Sequence, residues 1–208
     1  VLMDVALHRL GVTFVLDRAG ITGPDGASHH GMWDTSIMGL VPGLQLAAPR
    51  DEPRLAAALE TASTISDAPS VIRFSRDTIP TTMDAIRTHG TIDIMSDAPG
   101  ARLLLVAYGQ FVQLAVDVAK RMGDQGIAAT VADPVWALPV SGDLVELCRD
   151  YDLVVTLEDG GVAGGLGARL AHELREANLD VPIRCLGVPQ QFVDHASRDE
   201  ILDRLGLT

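Results

Sequence analysis

Asp17–Gly31 reads DRAGITGPDGASHHG. It follows Val12-Thr13-Phe14-Val15-Leu16, an apolar run of the length of a buried parallel strand. A strand that opens into a polar, glycine-rich loop predicts an open α/β sheet, whose ligands bind at the carboxyl ends of the strands. The loop gathers Asp17, Arg18, Asp25, His29 and His30, with Gly20, Gly23, Gly26 and Gly31 between them. Arginine grips a phosphate or carboxylate with two parallel hydrogen bonds. Histidine moves a proton near neutral pH. On composition alone, a polar surface loop is an equal reading of the same stretch.

The pattern on either side supports an α/β fold. Before the loop, Val1, Leu2, Val5, Ala6 and Leu10 recur at helical spacing without an N-cap. The chain is therefore expected to start inside a helix, as the carboxyl-terminal part of a longer polypeptide. Val1, Leu2 and Val5 are then expected to lack packing partners. After the loop, Leu44–Ala48 reads as a second strand, and Asp51 is the candidate N-cap of a helix with Leu55, Leu59 and Ala62 on one face. Val71–Phe74 is a third strand, which delivers Arg73 and Arg76 near its end.

From Asp77 to Gly100 the pattern weakens, apart from a short alternating piece at Thr91–Met95, and the domain linker is placed at 78–100. A fresh alternation then begins. Strands are predicted at Leu103–Ala107, Ile127–Val131, Leu153–Leu157 and Val181–Leu186. Helices are predicted at Phe111–Met122, after Ser141, over Ala168–Ala177, and after the capping box Ser197-Arg198-Asp199-Glu200. Repeated β-then-α with apolar strands means two parallel-sheet domains with helices on both faces.

Composition bounds the function. The 208 residues carry a formal net charge of -12, which argues against nucleic acid or an anionic membrane as partner. No apolar run approaches the ~20 residues of a membrane span, and no signal peptide is visible, so a cytoplasmic setting is expected. Cys148 and Cys185 read as buried free thiols. No cysteine or histidine spacing suggests a metal site. Gly160–Gly167 at a helix start reads as close packing of helix on sheet rather than an anion nest.

The order DRAG, DG, SHHG, Trp33-Asp34-Thr35-Ser36, Ala48-Pro49-Arg50-Asp51-Glu52, Val71-Ile72-Arg73-Phe74-Ser75-Arg76, Leu157-Glu158-Asp159 and Gly187-Val188-Pro189-Gln190-Gln191-Phe192 resembles the 1-deoxy-D-xylulose-5-phosphate synthase family. These are thiamine-diphosphate-dependent enzymes of the transketolase type. The resemblance implies an incomplete pyrimidine-binding domain over 1–77 and a transketolase C-terminal domain over 101–208. It implies decarboxylation of pyruvate and transfer of the two-carbon unit to D-glyceraldehyde 3-phosphate, in a homodimer.

Residue by residue, Arg18, Asp25, His29 and Arg76 match positions that line the acceptor pocket. The two arginines hold the phosphate there, and Asp25 and His29 face the hydroxyl and carbonyl region, His29 as the catalytic candidate. The alternative for Arg76 is a surface ion pair with Asp77 or Asp67. The family usually has Pro-Arg-Gly, sometimes with Lys for Arg, where this chain has Ser75-Arg76-Asp77, so Asp77 sets a negative charge beside the proposed clamp, unless it points to solvent. His30 reads as structural or solvated, and Glu158-Asp159 as structural or an interface feature.

The family's Gly-Asp-Gly motif does not occur, and the only asparagine is Asn178. Thiamine diphosphate and Mg²⁺ are accordingly expected to be bound mainly by upstream residues of the same polypeptide, with no cofactor or metal ligand in this chain. Two rivals share parts of this reading: the β-subunit of a 2-oxo acid dehydrogenase, which needs no sugar-phosphate clamp, and a non-catalytic assembly fragment.

Overall fold

A computed structural model describes residues 1–78 and 80–208; Ile79, within the expected linker, lies outside them. The first part runs β1 (Thr13–Leu16), α1 (Asp34–Met38), β2 (Gln45–Ala47), α2 (Glu52–Thr64) and β3 (Ser70–Arg73). The second runs β4 (Arg87–His89), β5 (Ile92–Asp97), β6 (Leu103–Ala107), α3 (Phe111–Gly123), β7 (Ala129–Asp133) and β8 (Trp136–Leu138). It continues through α4 (Gly142–Cys148), β9 (Leu153–Gly161), α5 (Leu166–Glu176), β10 (Ile183–Val188) and α6 (Arg198–Arg204).

Two sheets result, mostly parallel. The first has the order β1-β3-β2-β8 and the second β10-β9-β6-β7-β5-β4. β1 and β2 both pair parallel with β3, whose four residues are all buried. β8 breaks the parallel expectation by adding antiparallel to β2, so the second part of the chain closes the first sheet. The β4–β5 and β5–β7 pairings are also antiparallel. Both β4 and β5 lie in the stretch expected as a linker.

Local signals explain most element ends. Asp51 caps α2 by accepting from the Arg54 backbone N–H at 3.0 Å, with a proline in the first turn. Ser141 caps α4, and Ser197 with Glu200 forms the capping box of α6. The inward face of α2 is Ala58 and Ala62, which pack with Ala47 and Ile72; Leu59 points outward. Small residues let this helix lie close on the sheet, which leaves the larger leucine to solvent.

The amino-terminal segment corrects another expectation. Leu2–Ala6 forms one π-helical turn, Val5 is buried, and Val1 packs against the main core. Of the three residues expected to lack partners, Leu2 alone is exposed. β1 is likewise only half-buried, because it is an edge strand. The main core is continuous across both sheets: Leu46 and Val71 join Ile92, Leu104, Val106, Leu144 and Leu170. α3 covers the other face of the second sheet with Val112, Ala115 and Ala119. No helix of the described residues is long and apolar enough to cross a membrane.

Candidate functional site

β1 and β3 lie side by side in parallel, with Leu16 in register with Arg73. The segments that follow them leave the sheet together: Asp17 and Arg18 from one, Phe74 to Arg76 from the other. The Ala19 N–H donates to the Phe74 carbonyl at 3.0 Å, and the Gly31 N–H to the Gly20 carbonyl at 2.7 Å, which closes the loop. Gly20 sits at φ +72, and a Cβ there would meet the Asp159 carboxylate at 2.1 Å, so the turn demands glycine twice over.

The loop returns Asp25 between the two arginines. Asp25 accepts a short hydrogen bond from Arg76, and Arg18 Nη1 lies 3.6 Å from the same Asp25 oxygen. The Arg76 hydrogen bond, against an opposing effect of burial, holds the Asp25 carboxyl below its ordinary range, helped by the charges of Arg76, Arg18 and His29. Of the four residues expected at the site, the structure thus joins Arg18, Asp25 and Arg76 in one ion cluster. His29 is exposed, with Ser28 Oγ 3.0 Å from its Nδ1, and its charge acts on Asp25 without a direct bond. Arg76 pairs with neither Asp77 nor Asp67; Asp67 meets Arg9 instead.

Arg18 and Arg76 line a cleft of about 310 Å³, walled by Pro49, Phe74 and Gln110 and reaching Arg50. The side chains of Arg18 and Arg76 are 56% and 47% exposed, and that of Asp25 is 26%. Two accessible guanidinium forks beside one carboxylate can take a phosphate, which carries more charge than the carboxylate it displaces. Asp77 accepts from the Thr78 N–H at 2.8 Å and lies 3.8 Å from Arg198 Nε, so its charge has a cationic neighbour.

Two further arginines, without a role in the sequence reading, fix this arrangement from below. Arg73, at the end of β3, is buried and donates to Asp34 at 2.8 Å and Asp159 at 2.9 Å. Burial alone would favour neutral Arg73, but the two carboxylates outweigh it and keep the guanidinium charged. Arg50 donates to Asp93 and Asp133, each at 2.7 Å, and to the Met83 carbonyl. The Arg73–Asp159 bond and both Arg50 pairs cross from the first sheet's segments to the second sheet's. The sequence signal was there: Arg73 ends a strand too apolar to stand in water, and Arg50 follows another.

Asp159 joins Arg73 to Arg198, whereas Glu158 has a different task. Its carboxylate accepts the Leu166 and Gly167 N–H groups at 3.0 and 2.9 Å, filling the N-terminus of α5. The glycine-rich turn there is packed tight, since a Cβ at Gly165 would meet the Gly161 carbonyl at 2.2 Å. His30 is buried, and its Nδ1 accepts from the Thr22 N–H at 3.1 Å. Cys148 is buried and Cys185 half-buried. Among the described residues no group of three or more His, Cys, Asp or Glu could hold a metal ion. Glu158 already takes up the N-terminal N–H groups of α5, so that helix end is not open to a phosphate.

Burial pushes the Glu158 carboxyl up to about 7, against its two backbone hydrogen bonds. The folded chain therefore keeps a proton that the unfolded chain has lost between about pH 4.5 and 7. This stabilisation is full below that window and is lost as pH rises through it, on the order of 3 kcal/mol. Glu158→Gln removes the titration. Wild type should therefore lose stability relative to the variant from pH 5 to pH 7.5 in urea melts. A difference that is constant with pH would contradict the assignment.

The transketolase pyrimidine binding domain model matches residues 1–82, and the transketolase C-terminal domain model matches residues 90–208. The curated protein named 1-deoxy-D-xylulose-5-phosphate synthase 2 of Kitasatospora griseola is 50% identical over 100% of this chain and 34% of its own length. The 1-deoxy-D-xylulose-5-phosphate synthase of Mycobacteroides abscessus is 52% identical over 100% of this chain and 33% of its own length. The chain thus spans about a third of the length of the curated relatives it matches. Among solved structures, a split-gene transketolase described as an inactive β4 tetramer superposes with a TM-score of 0.84 at 28% identity, covering 100% of this chain and 66% of that one. A transketolase from Pichia stipitis shares the fold, with a TM-score of 0.78 at 20% identity over 98% of this chain and 29% of that one.

Proposed function

The chain belongs to the transketolase family, and from that premise we propose that it supplies the acceptor-binding part of a 1-deoxy-D-xylulose-5-phosphate synthase. The observation that carries the reading is the convergence on Asp25 of Arg18 and Arg76, two arginines that line one cleft. Its substrates are pyruvate and D-glyceraldehyde 3-phosphate. Arg18 and Arg76 take the acceptor's phosphate, and Asp25 turns to its hydroxyl. The aldehyde oxygen must gain a proton as it becomes a hydroxyl, and His29 Nε2 delivers it, since Nδ1 is engaged with Ser28. Thiamine diphosphate with Mg²⁺ is held mainly by polypeptide upstream of these 208 residues, in keeping with the α5 terminus being taken up by Glu158. A homodimer, a cytoplasmic setting and a domain division within 78–100, with β4 and β5 going to the second domain, belong to the same proposal.

The test is formation of deoxyxylulose phosphate from both substrates by the enzyme that carries this chain. In it, His29→Ala should lower turnover with the acceptor by about 10²–10⁴-fold, the usual worth of a general acid. Pyruvate decarboxylation without acceptor should change far less. Unaltered acceptor kinetics would remove His29 from the reaction.

One likeness favours a second reading, a non-catalytic assembly fragment: the split-gene transketolase is described as inactive in its β4 form. Sedimentation of this chain as a four-copy species, inactive with every cofactor supplied, would favour it.

A further inference from the structure

A second cleft, of about 260 Å³, adjoins the first, and Arg76 and Asp77 belong to both. The second is also lined by Arg198, the first residue of α6, with its side chain 12% exposed. Its Nη1 donates to the Ile21 carbonyl at 2.6 Å, in the loop that presents Asp25. Its Nη2 reaches Asp159 at 3.3 Å and the side-chain oxygen of Gln110 at 3.4 Å; Gln110 is a wall of the first cleft. Its Nε lies 3.8 Å from Asp77, the residue after Arg76. One rigid guanidinium thus touches both loops of the candidate site and ties them to the second sheet. α6 itself is anchored by its capping box and by buried Ile201 and Leu202.

We propose that Arg198 is a positioning residue of the acceptor site, which holds the Asp25 loop against the Arg76 loop and neutralises Asp77 so that Arg76 is left for the acceptor's phosphate. The proposal rests on the acceptor-site reading above. Its physical content is twofold. A fork with several donors fixes the spacing of two loops that share no strand. An unopposed Asp77 would repel an incoming phosphate and compete for Arg76, because like charges brought together in a site disfavour binding.

The experiment measures KM for both substrates and kcat in the complete enzyme, for Arg198→Ala, Arg198→Lys, Arg198→Ala with Asp77→Asn, and Arg18→Ala as the reference. Arg198→Ala should raise KM for glyceraldehyde 3-phosphate about tenfold, with KM for pyruvate within about twofold. Arg198→Lys, which keeps the charge but not the fork, should fall between. Adding Asp77→Asn should recover part of the acceptor affinity, which a purely structural role would not produce. If Arg198→Ala does not accumulate folded, Arg198→Lys alone decides, with the same one-sided rise expected at about threefold. A normal acceptor KM in the Arg198 variants while Arg18→Ala raises it overturns the proposal and leaves the acceptor site standing. Equal losses for both substrates without recovery by Asp77→Asn also overturn it. An Arg18→Ala enzyme with unchanged acceptor KM instead removes the acceptor-site reading itself.

Discussion

Replacing Arg73 with methionine should lower the stability of the chain by about 3–5 kcal/mol, the cost of breaking a buried ion pair from one side. Arg73 is 3% exposed and is the shared partner of Asp34 and Asp159. Methionine fills much of the same volume, so lost packing contributes little. The cost comes from two carboxylates left in a dry site, of which Asp159 keeps Arg198 at 3.3 Å and Asp34 keeps a single backbone N–H. For a chain of 208 residues, such a loss lowers the melting temperature by about 10 °C. Asp34→Asn in the same background should return part of the stability, since it removes one stranded charge. That coupling appears as a non-additive double-mutant cycle. A loss below about 1 kcal/mol, or strict additivity with Asp34→Asn, would show that Arg73 is a bystander in the join between the two sheets.

Arg73 also marks the boundary of what the sequence makes legible. Signals that act within a few residues are readable: the caps at Asp51, Ser141 and Ser197, and the uninterrupted strand Leu103–Ala107, all lie where they were expected. Interactions between distant residues are not. Arg73 meets an aspartate 86 positions away, and nothing in either neighbourhood names the other. β8 is hidden for the same reason. Its three residues lie between Pro134 and Pro139, which read as turn, and only pairing with distant β2 makes them a strand. Apolar spacing puts Leu59 on one face with Leu55 and Ala62 and makes Val15 part of a run of buried-strand length, yet both are exposed, on the outer side of α2 and on the edge strand β1. In the candidate site, the residue types were legible because the DRAG and SHHG pieces are compact. The Asp25–Arg76 bond, which spans 51 positions, required the fold.

That bond is what makes the second large effect measurable. Arg18→Ala and Arg76→Ala should each raise KM for glyceraldehyde 3-phosphate about ten- to a hundredfold, while KM for pyruvate stays near its wild-type value. Losing one charge-assisted hydrogen bond costs about 1.5–3 kcal/mol, which sets this range. The two variants should not be equivalent. Arg76 carries the hydrogen bond to Asp25, whereas Arg18 stands at 3.6 Å from it. Removing Arg76 therefore frees Asp25 to turn on Arg18, so the remaining arginine is less available to phosphate. Removing Arg18 leaves the Asp25–Arg76 pair intact and takes away one fork only. Arg76→Ala should accordingly be the more damaging, and Asp25→Asn should restore part of its acceptor affinity by releasing Arg18. Steady-state kinetics with each substrate varied in turn separate these cases. Equal rises for pyruvate and glyceraldehyde 3-phosphate would mean that the cluster supports the fold rather than the acceptor. An Arg76→Ala enzyme that Asp25→Asn leaves unimproved would mean that Asp25 does not compete with the phosphate for the arginines.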